Sequence, residues 1–302
     1  MANWSADLAL AGGGGEPVDL WRTINSHGLV ELPPMAIDVT GRALEVTLPL
    51  RGGRPRTVRI DEAGPGTARV TPLGPAPSAA VAEQILAAVR HVLRLDADLS
   101  GFYALAAGDP ELAWAADGAG RMIRSATVFE DVVKTICTTN CAWSATERMV
   151  GALVAHLGEA AEGSDRRAFP TPGAMAVADE TFYGDTVRAG YRGRYLRELA
   201  GSVAEGRLDL EALAAPDLPE GELEKRLLAL PGVGPYAAAH IMMMLGRYSR
   251  LVLDSWTRPK YARLNGGKPV SDKTIERRFR RYGPYAGLAF WLVLTRDWVN
   301  DP

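Results

Sequence analysis

The chain is poor in cysteine, with only Cys137 and Cys141 in 302 residues. An iron–sulfur cluster draws on four thiolates, and two cysteines four positions apart on one predicted helix are badly placed for a structural disulfide. Neither is expected, and both read as buried thiols. Long apolar runs are missing as well. No stretch reaches the roughly 20 apolar residues of a membrane-spanning helix, and the opening MANWSADLALAGGGGEP has neither the basic start nor the apolar core of a signal peptide. The expectation is a cytoplasmic protein with no membrane partner. An excess of charge of one sign is also absent. The net charge is −2 at pH 7, so affinity for nucleic acid has to come from a local arrangement and not from the overall field. What is present, 47% hydrophobic and 23% charged residues, suffices for a core in one large or two moderate domains.

The pattern changes once, near residue 76. Before it, MAIDVT, RALEVTLPL, RTVRIDE and TARVTP are short β-rich runs separated by the turns RGGRP and AGPG, which predicts a small antiparallel sheet. After LGPAPS the apolar spacing is helical, from AAVAEQILAAVRHVLRL through VFEDVVKTICTTNCAWSATERMVGALVAHLG to GLAFWLVLTRDW. The predicted fold class is α+β. Residues 1–15, with AGGGGEP, read as a flexible terminus, 16–100 as a β-rich domain with a trailing helix, and 101–302 as a helical domain. There is no internal repeat.

Between two helical stretches stands LPGVGPYAAAH, residues 230–240. Each glycine costs a helix about 1 kcal/mol, so the break calls for a reason. Gly232 and Gly234 allow a tight turn, and the helix that follows starts with unpaired amides aimed outward, a ready anion site. A phosphate held there needs no lysine. An αα-corner built for close packing gives the same Gly-x-Gly, but Leu227, Leu230, Val233 and Ala237 flank the turn as in a helix-hairpin-helix. Asp254, in RLVLDSWTRPKY, stands before the next helical stretch, where it also suits a helix N-cap.

A hairpin followed by this aspartate resembles the helix-hairpin-helix, Gly/Pro-rich, Asp superfamily of DNA glycosylases. FEDVVKTICTTNCAWSATERMVGALVAHLG, AGYRGRYLRELA and RRYGPYAGLAFWLVL are similar to segments of the 8-oxoguanine DNA glycosylases, in the same order, over about residues 85–298. The resemblance implies a small amino-terminal antiparallel β-sheet domain followed by a helical helix-hairpin-helix glycosylase domain, acting in base-excision repair on double-stranded DNA that contains a damaged base, as a monomer. Such enzymes flip the base into a pocket. Asn140 then corresponds to the family's gap-filling asparagine, Tyr191 to the wedge beside the opposite base and Arg192 to the arginine that contacts it. The family's second such arginine is replaced by Ala145. Tyr191 and Arg192 also read simply as an aromatic with a basic neighbour on a helix surface. No cofactor is required. A structural monovalent cation on the carbonyls of Leu228, Leu230 and Val233 is implied by the family, and no metal takes part in the chemistry.

The departures carry the finer reading. Bifunctional members have a Schiff-base lysine where this chain has Tyr236, and a phenol forms no Schiff base. The chain therefore resembles monofunctional enzymes such as the bacterial 3-methyladenine glycosylases, with Asp254 as the catalytic carboxylate that stabilises developing positive charge on the sugar. The glutamine and phenylalanine that read 8-oxoguanine are replaced by Phe290 and Leu294. Phe290, Tyr236 and Trp256 would suit a cationic alkylated purine through cation–π contacts, although Phe290 packed in the core is an alternative. The basic run from Arg247 to Arg281, Arg258 included, reads as a phosphate-binding face or as solvated helix surface. A bifunctional 8-oxoguanine glycosylase/lyase using Lys260, and a non-catalytic damaged-DNA-binding protein, are the other readings.

Overall fold

The computed structural model describes residues 4–299. The first unit is a five-stranded antiparallel sheet in the order β1-β5-β4-β3-β2, from β1 (Ala6–Ala9), β2 (Met35–Asp38), β3 (Ala43–Leu48), β4 (Arg56–Gly64) and β5 (Thr67–Pro72). A short helix, α1 (Leu20–Ile24), lies between β1 and β2. Alternation in the strands places Leu44, Val46, Val58, Ile60 and Val70 on one face. There they pack against Ile85, Val89 and Val92 of α2 (Ala79–Val92). Leu44 pairs with Ile60, and Ile60 with Val70, so the register keeps this apolar set together.

Residues 4–15, expected as part of a flexible terminus, are instead paired into the fold; residues 1–3 lie outside the described residues. β1 adds an edge strand to β5, Ala6 opposite Val70 and Ala9 opposite Thr67. The glycine run is held by Glu16. Its carbonyl accepts from the Gly12 amide, its carboxylate accepts from the amides of Gly14 and Leu99, and it pairs with Arg121. Glycine is required at 13, where a Cβ would stand 2.6 Å from the Asp96 carbonyl oxygen. Glu16 and Arg121 are 8% and 0% exposed. Glu16→Ala strands a buried guanidinium and should destabilise the fold by about 3–5 kcal/mol, read as a lowered midpoint in urea.

The helical part comprises α3 (Ser100–Ala107), α4 (Val128–Thr138), α5 (Trp143–Leu157), α6 (Pro172–Ala176), α7 (Arg192–Ala204), α8 (Glu220–Leu228), α9 (Pro235–Met244), α10 (Thr257–Leu264), α11 (Asp272–Phe279) and α12 (Ala286–Thr295). Two cores form around α9. Ala238, Ile241 and Met242 face α4, α5 and α7, while Ala239 and Met243 face α3, α11 and α12. A helix shared by two cores is apolar all round, which is why AAAHIMMM has no polar face beyond His240. Leu29 and Leu32 of the first unit enter the α4 core. Residues 25–37 are thereby pinned against the mouth of α9, where the site lies.

Candidate active site

α9 opens at Gly234, whose backbone is extended (φ −100°, ψ −176°), with Pro235 in the first turn. The first hydrogen bond of the helix runs from the Ala238 amide to the Gly234 carbonyl at 2.9 Å. The amides of Tyr236 and Ala237 precede it and have no intrahelical partner. The turn needs Gly232, which holds φ +79° and would bring a Cβ to 2.9 Å from the Tyr195 ring, whereas a Cβ on exposed Gly234 meets open space. Ala237 contributes only its amide. Its methyl is 1% exposed and belongs to the core. Leu228, at the end of α8, is exposed, and Leu230 and Val233 are buried, with the Leu230 carbonyl accepting from the Val233 amide at 3.2 Å.

Beside this helix start lies a cavity of about 460 Å³. Asp254, Tyr236 and Trp256 line it together. Asp254 is first a helix cap. Its Oδ1 accepts from the amides of Trp256 at 2.8 Å and Thr257 at 2.6 Å, and its own amide donates to the Thr257 hydroxyl at 2.8 Å. Oδ2 has no hydrogen-bond partner among the described residues, so the cap fixes the carboxylate without consuming it. Burial raises the Tyr236 phenol above its ordinary range, against the hydrogen bond with Thr138, and the Asp254 carboxylate adds to the rise.

Phe290 and Leu294 do not reach the cavity, a second correction. Both are fully buried, Phe290 against Phe279 and Tyr261. One helical step of about 100° separates neighbours on α12, and it is Trp291 that faces inward. Trp291, Trp256 and Trp298 cluster with ring centroids 5.4–5.8 Å apart, and Trp291 donates its indole N–H to the Ser26 carbonyl at 2.7 Å. The cavity also receives Glu31, Trp143, Thr138, Cys141, His27 and His240. His240 is spaced i, i+4 from Tyr236, a signal present in the sequence; His27 comes from the sheet unit and left none. Neither lysine nor arginine lines the cavity among the described residues.

Cys141 is half-buried and donates to the Cys137 carbonyl at 3.2 Å; Cys137 is buried, which pushes its thiol up to about 12. Both are free thiols. No cluster of three or more His, Cys, Asp or Glu suited to a metal exists among the described residues, and no helix among them is long and apolar enough to cross a membrane.

On the neighbouring surface Asn140 is exposed, with φ +47°, and its amide donates to the Tyr191 hydroxyl at 3.3 Å. Tyr191 is 54% exposed. Arg192 departs from expectation. It is 7% exposed, its guanidinium binds the backbone carbonyl and hydroxyl of Thr139 and lies 4.6 Å from the Tyr191 ring centroid. It fixes the base of the Asn140–Tyr191 pair and does not project from the surface. The basic run is also less free than its composition suggests. Arg250, Arg258, Lys260, Arg278 and Arg281 pair with Glu224, Asp272, Asp297, Glu111 and Asp109. Lys260, held by Asp297, does not line the cavity.

No family model matches the chain, and no curated protein matches it. Solved structures do. MBOgg1 in complex with a low-affinity DNA ligand superposes with a TM-score of 0.75 at 19% identity, covering 99% of this chain and 97% of that one. The 3-methyladenine DNA glycosylase of Archaeoglobus fulgidus gives 0.73 at 21%, covering 98% and 100%. The 8-oxoguanine glycosylase/lyase of Clostridium acetobutylicum in its apo-form gives 0.74 at 20%, covering 97% and 96%. The chain has the fold of the helix-hairpin-helix DNA glycosylases. Within this glycosylase fold the sheet unit supplies one wall of the cavity and the hairpin helix the other.

Acid should loosen this glycosylase fold. Burial depresses His27 to about 3 and His91 and His240 to about 4. Each is neutral when folded and binds a proton near 6.5 when unfolded, so its contribution is complete above pH 6.5 and is lost as pH falls toward 4. Asp131, pushed up to about 6 by burial, acts in the opposite sense and offsets one of the three. The loss is up to about 1.4 kcal/mol per pH unit for each histidine. The melting temperature should fall between pH 7 and pH 5; an unchanged or rising value contradicts these protonation states.

Proposed function

We propose that the protein is a monofunctional DNA N-glycosylase that extrudes an alkylated, positively charged purine from duplex DNA and hydrolyses its N-glycosidic bond. One observation carries the reading: the cavity has two carboxylates, Asp254 and Glu31, four tryptophans and Tyr236, and no cationic side chain among the described residues lining it. His27 and His240 are held neutral by burial. An anionic aromatic cavity favours a cation through charge and ring faces, each cation–π contact giving about 0.5–2 kcal/mol.

In this reading Asn140 and Tyr191 fill the gap left by the extruded nucleotide, and the amides of Tyr236 and Ala237 hold a backbone phosphate. Cleavage sends the electron pair of the C1′–N bond to the base, which departs neutral because it was cationic. Positive charge grows on the sugar, and the Asp254 carboxylate stabilises it. Water then adds to C1′ and gives its proton to Asp254, leaving an abasic site. A cationic base is a good leaving group, so the reaction needs no strong general acid. In this reading the carbonyls of Leu228, Leu230 and Val233 hold a monovalent cation as a brace for the hairpin. Both 3-methyladenine and 8-oxoguanine enzymes occur on the fold, and Tyr236 favours the former, having no amine for a Schiff base. Asp254 lining the cavity argues against a purely binding role.

The test is a panel of duplexes with single methylated, oxidised or deaminated bases, with and without alkali. Release of 3-methyladenine or 7-methylguanine, with strand breaks only after alkali, is expected. Excision of 8-oxoguanine alone, or a borohydride-trapped protein–DNA adduct, overturns the reading.

A further inference from the structure

The turn Gly28–Glu31 belongs to the sheet unit's wall of the cavity. Leu29 and Val30, 3% and 2% exposed, anchor it in two different cores, and Leu32 just beyond is fully buried. The buried Lys134 ammonium donates to the Leu32 carbonyl at 3.3 Å, and the Leu32 amide donates to the Leu29 carbonyl at 3.2 Å. The turn is thus fixed on both sides. Glu31 is the one side chain of this turn that stays exposed, and it lines the cavity. Its carboxylate has no ion pair and no hydrogen bond among the described residues. Trp143 packs on the same turn, its ring 3.4 Å from where a Gly28 Cβ would stand. A free negative charge and an indole therefore occur together on this wall, whereas Asp254 belongs to the hairpin side and is partly satisfied by the amides of Trp256 and Thr257.

We propose that Glu31 is a specificity-determining residue that selects the positive charge of the extruded base, a task separate from that of Asp254. The inference rests on the glycosylase reading and divides the two carboxylates by the stage at which each acts. A nucleotide held by its phosphate at the hairpin keeps its sugar near Asp254, and its base extends toward the opposite wall, where Glu31 stands. Before cleavage the positive charge lies on the base. In the transition state it moves to the sugar, and the base departs neutral. A carboxylate that meets the base therefore stabilises the bound substrate more than the transition state, which tightens binding and adds nothing to the rate. Asp254, which meets the sugar, does the reverse.

The probe is duplex DNA methylated with dimethyl sulfate, with excess protein, and released 3-methyladenine and 7-methylguanine are counted separately. Varying the protein gives a half-saturating concentration and a maximal rate. Glu31→Gln keeps the shape of the side chain and removes its charge. It should raise the half-saturating concentration about threefold to fivefold at low salt, without lowering the maximal rate and without weakening binding to undamaged duplex. Glu31→Asp, which keeps the charge, should recover part of the loss, and concentrated salt should shrink the difference. Three results overturn the inference while the glycosylase reading stands: no change in the half-saturating concentration, a lower maximal rate, or equal weakening on undamaged duplex. Release of neither base by the parent protein overturns the functional reading and the inference with it.

Discussion

Asp254→Asn should lose base release by at least about a hundredfold while keeping the stability of the protein and its affinity for DNA. The separation follows from the two oxygens. Oδ1 caps α10 through the amides of Trp256 and Thr257, and an asparagine oxygen accepts those bonds equally well. Oδ2 carries the negative charge that the growing positive charge on the sugar calls for, and the amide has no such charge to offer. Asp254→Ala, by contrast, removes cap and charge together and should also cost about 1 kcal/mol of stability. Single-turnover release from methylated DNA, with anisotropy and thermal melting alongside, reads all three quantities. Parental turnover in the Asn variant would remove Asp254 from the mechanism.

Gly234→Asp should weaken binding to duplex DNA on the order of tenfold, alike for every sequence, and should leave the fold as stable as before or more so. The backbone there is extended and a Cβ meets nothing, so the side chain is accommodated. An aspartate at this N-cap position can accept from the amides of Tyr236 and Ala237, which the helix leaves unpaired. The groups that would hold a phosphate are then occupied by the protein's own carboxylate. Anisotropy at low salt with undamaged duplex measures it. Unchanged affinity would show that the hairpin does not touch the backbone of DNA.

The β-rich runs, the helical periods and the hairpin were readable because each is written locally: alternation in RTVRIDE, two glycines in LPGVG, an apolar AAAHIMMM. β1 was missed because ADLA is short and stands before a glycine run; its pairing with β5 and the Glu16–Arg121 contact are long-range facts. In the site, Asp254, Tyr236 and Trp256 meet in one cavity, all three near the hairpin in sequence. Phe290 and Leu294 failed through a single step of helix rotation, which gives the inward position to Trp291. His27 and Glu31 arrive from the sheet unit, and nothing in the local pattern of INSHGLVE announces that they share a cavity with residues more than 200 positions later.

The bond from Trp291 to the Ser26 carbonyl spans 265 positions, and it closes the cavity between the first and last parts of the chain. A ribosome delivers these two residues far apart in time. At about 5–20 residues per second, the loop with Ser26 and His27 emerges many seconds before the helix that completes the wall. A chain interrupted before α12 would carry the sheet, the hairpin and Asp254, but its cavity would lack Trp291 and Trp298. Under the proposed function, competence to release a base would thus arise only once α12 has been made, and products truncated before it should release none.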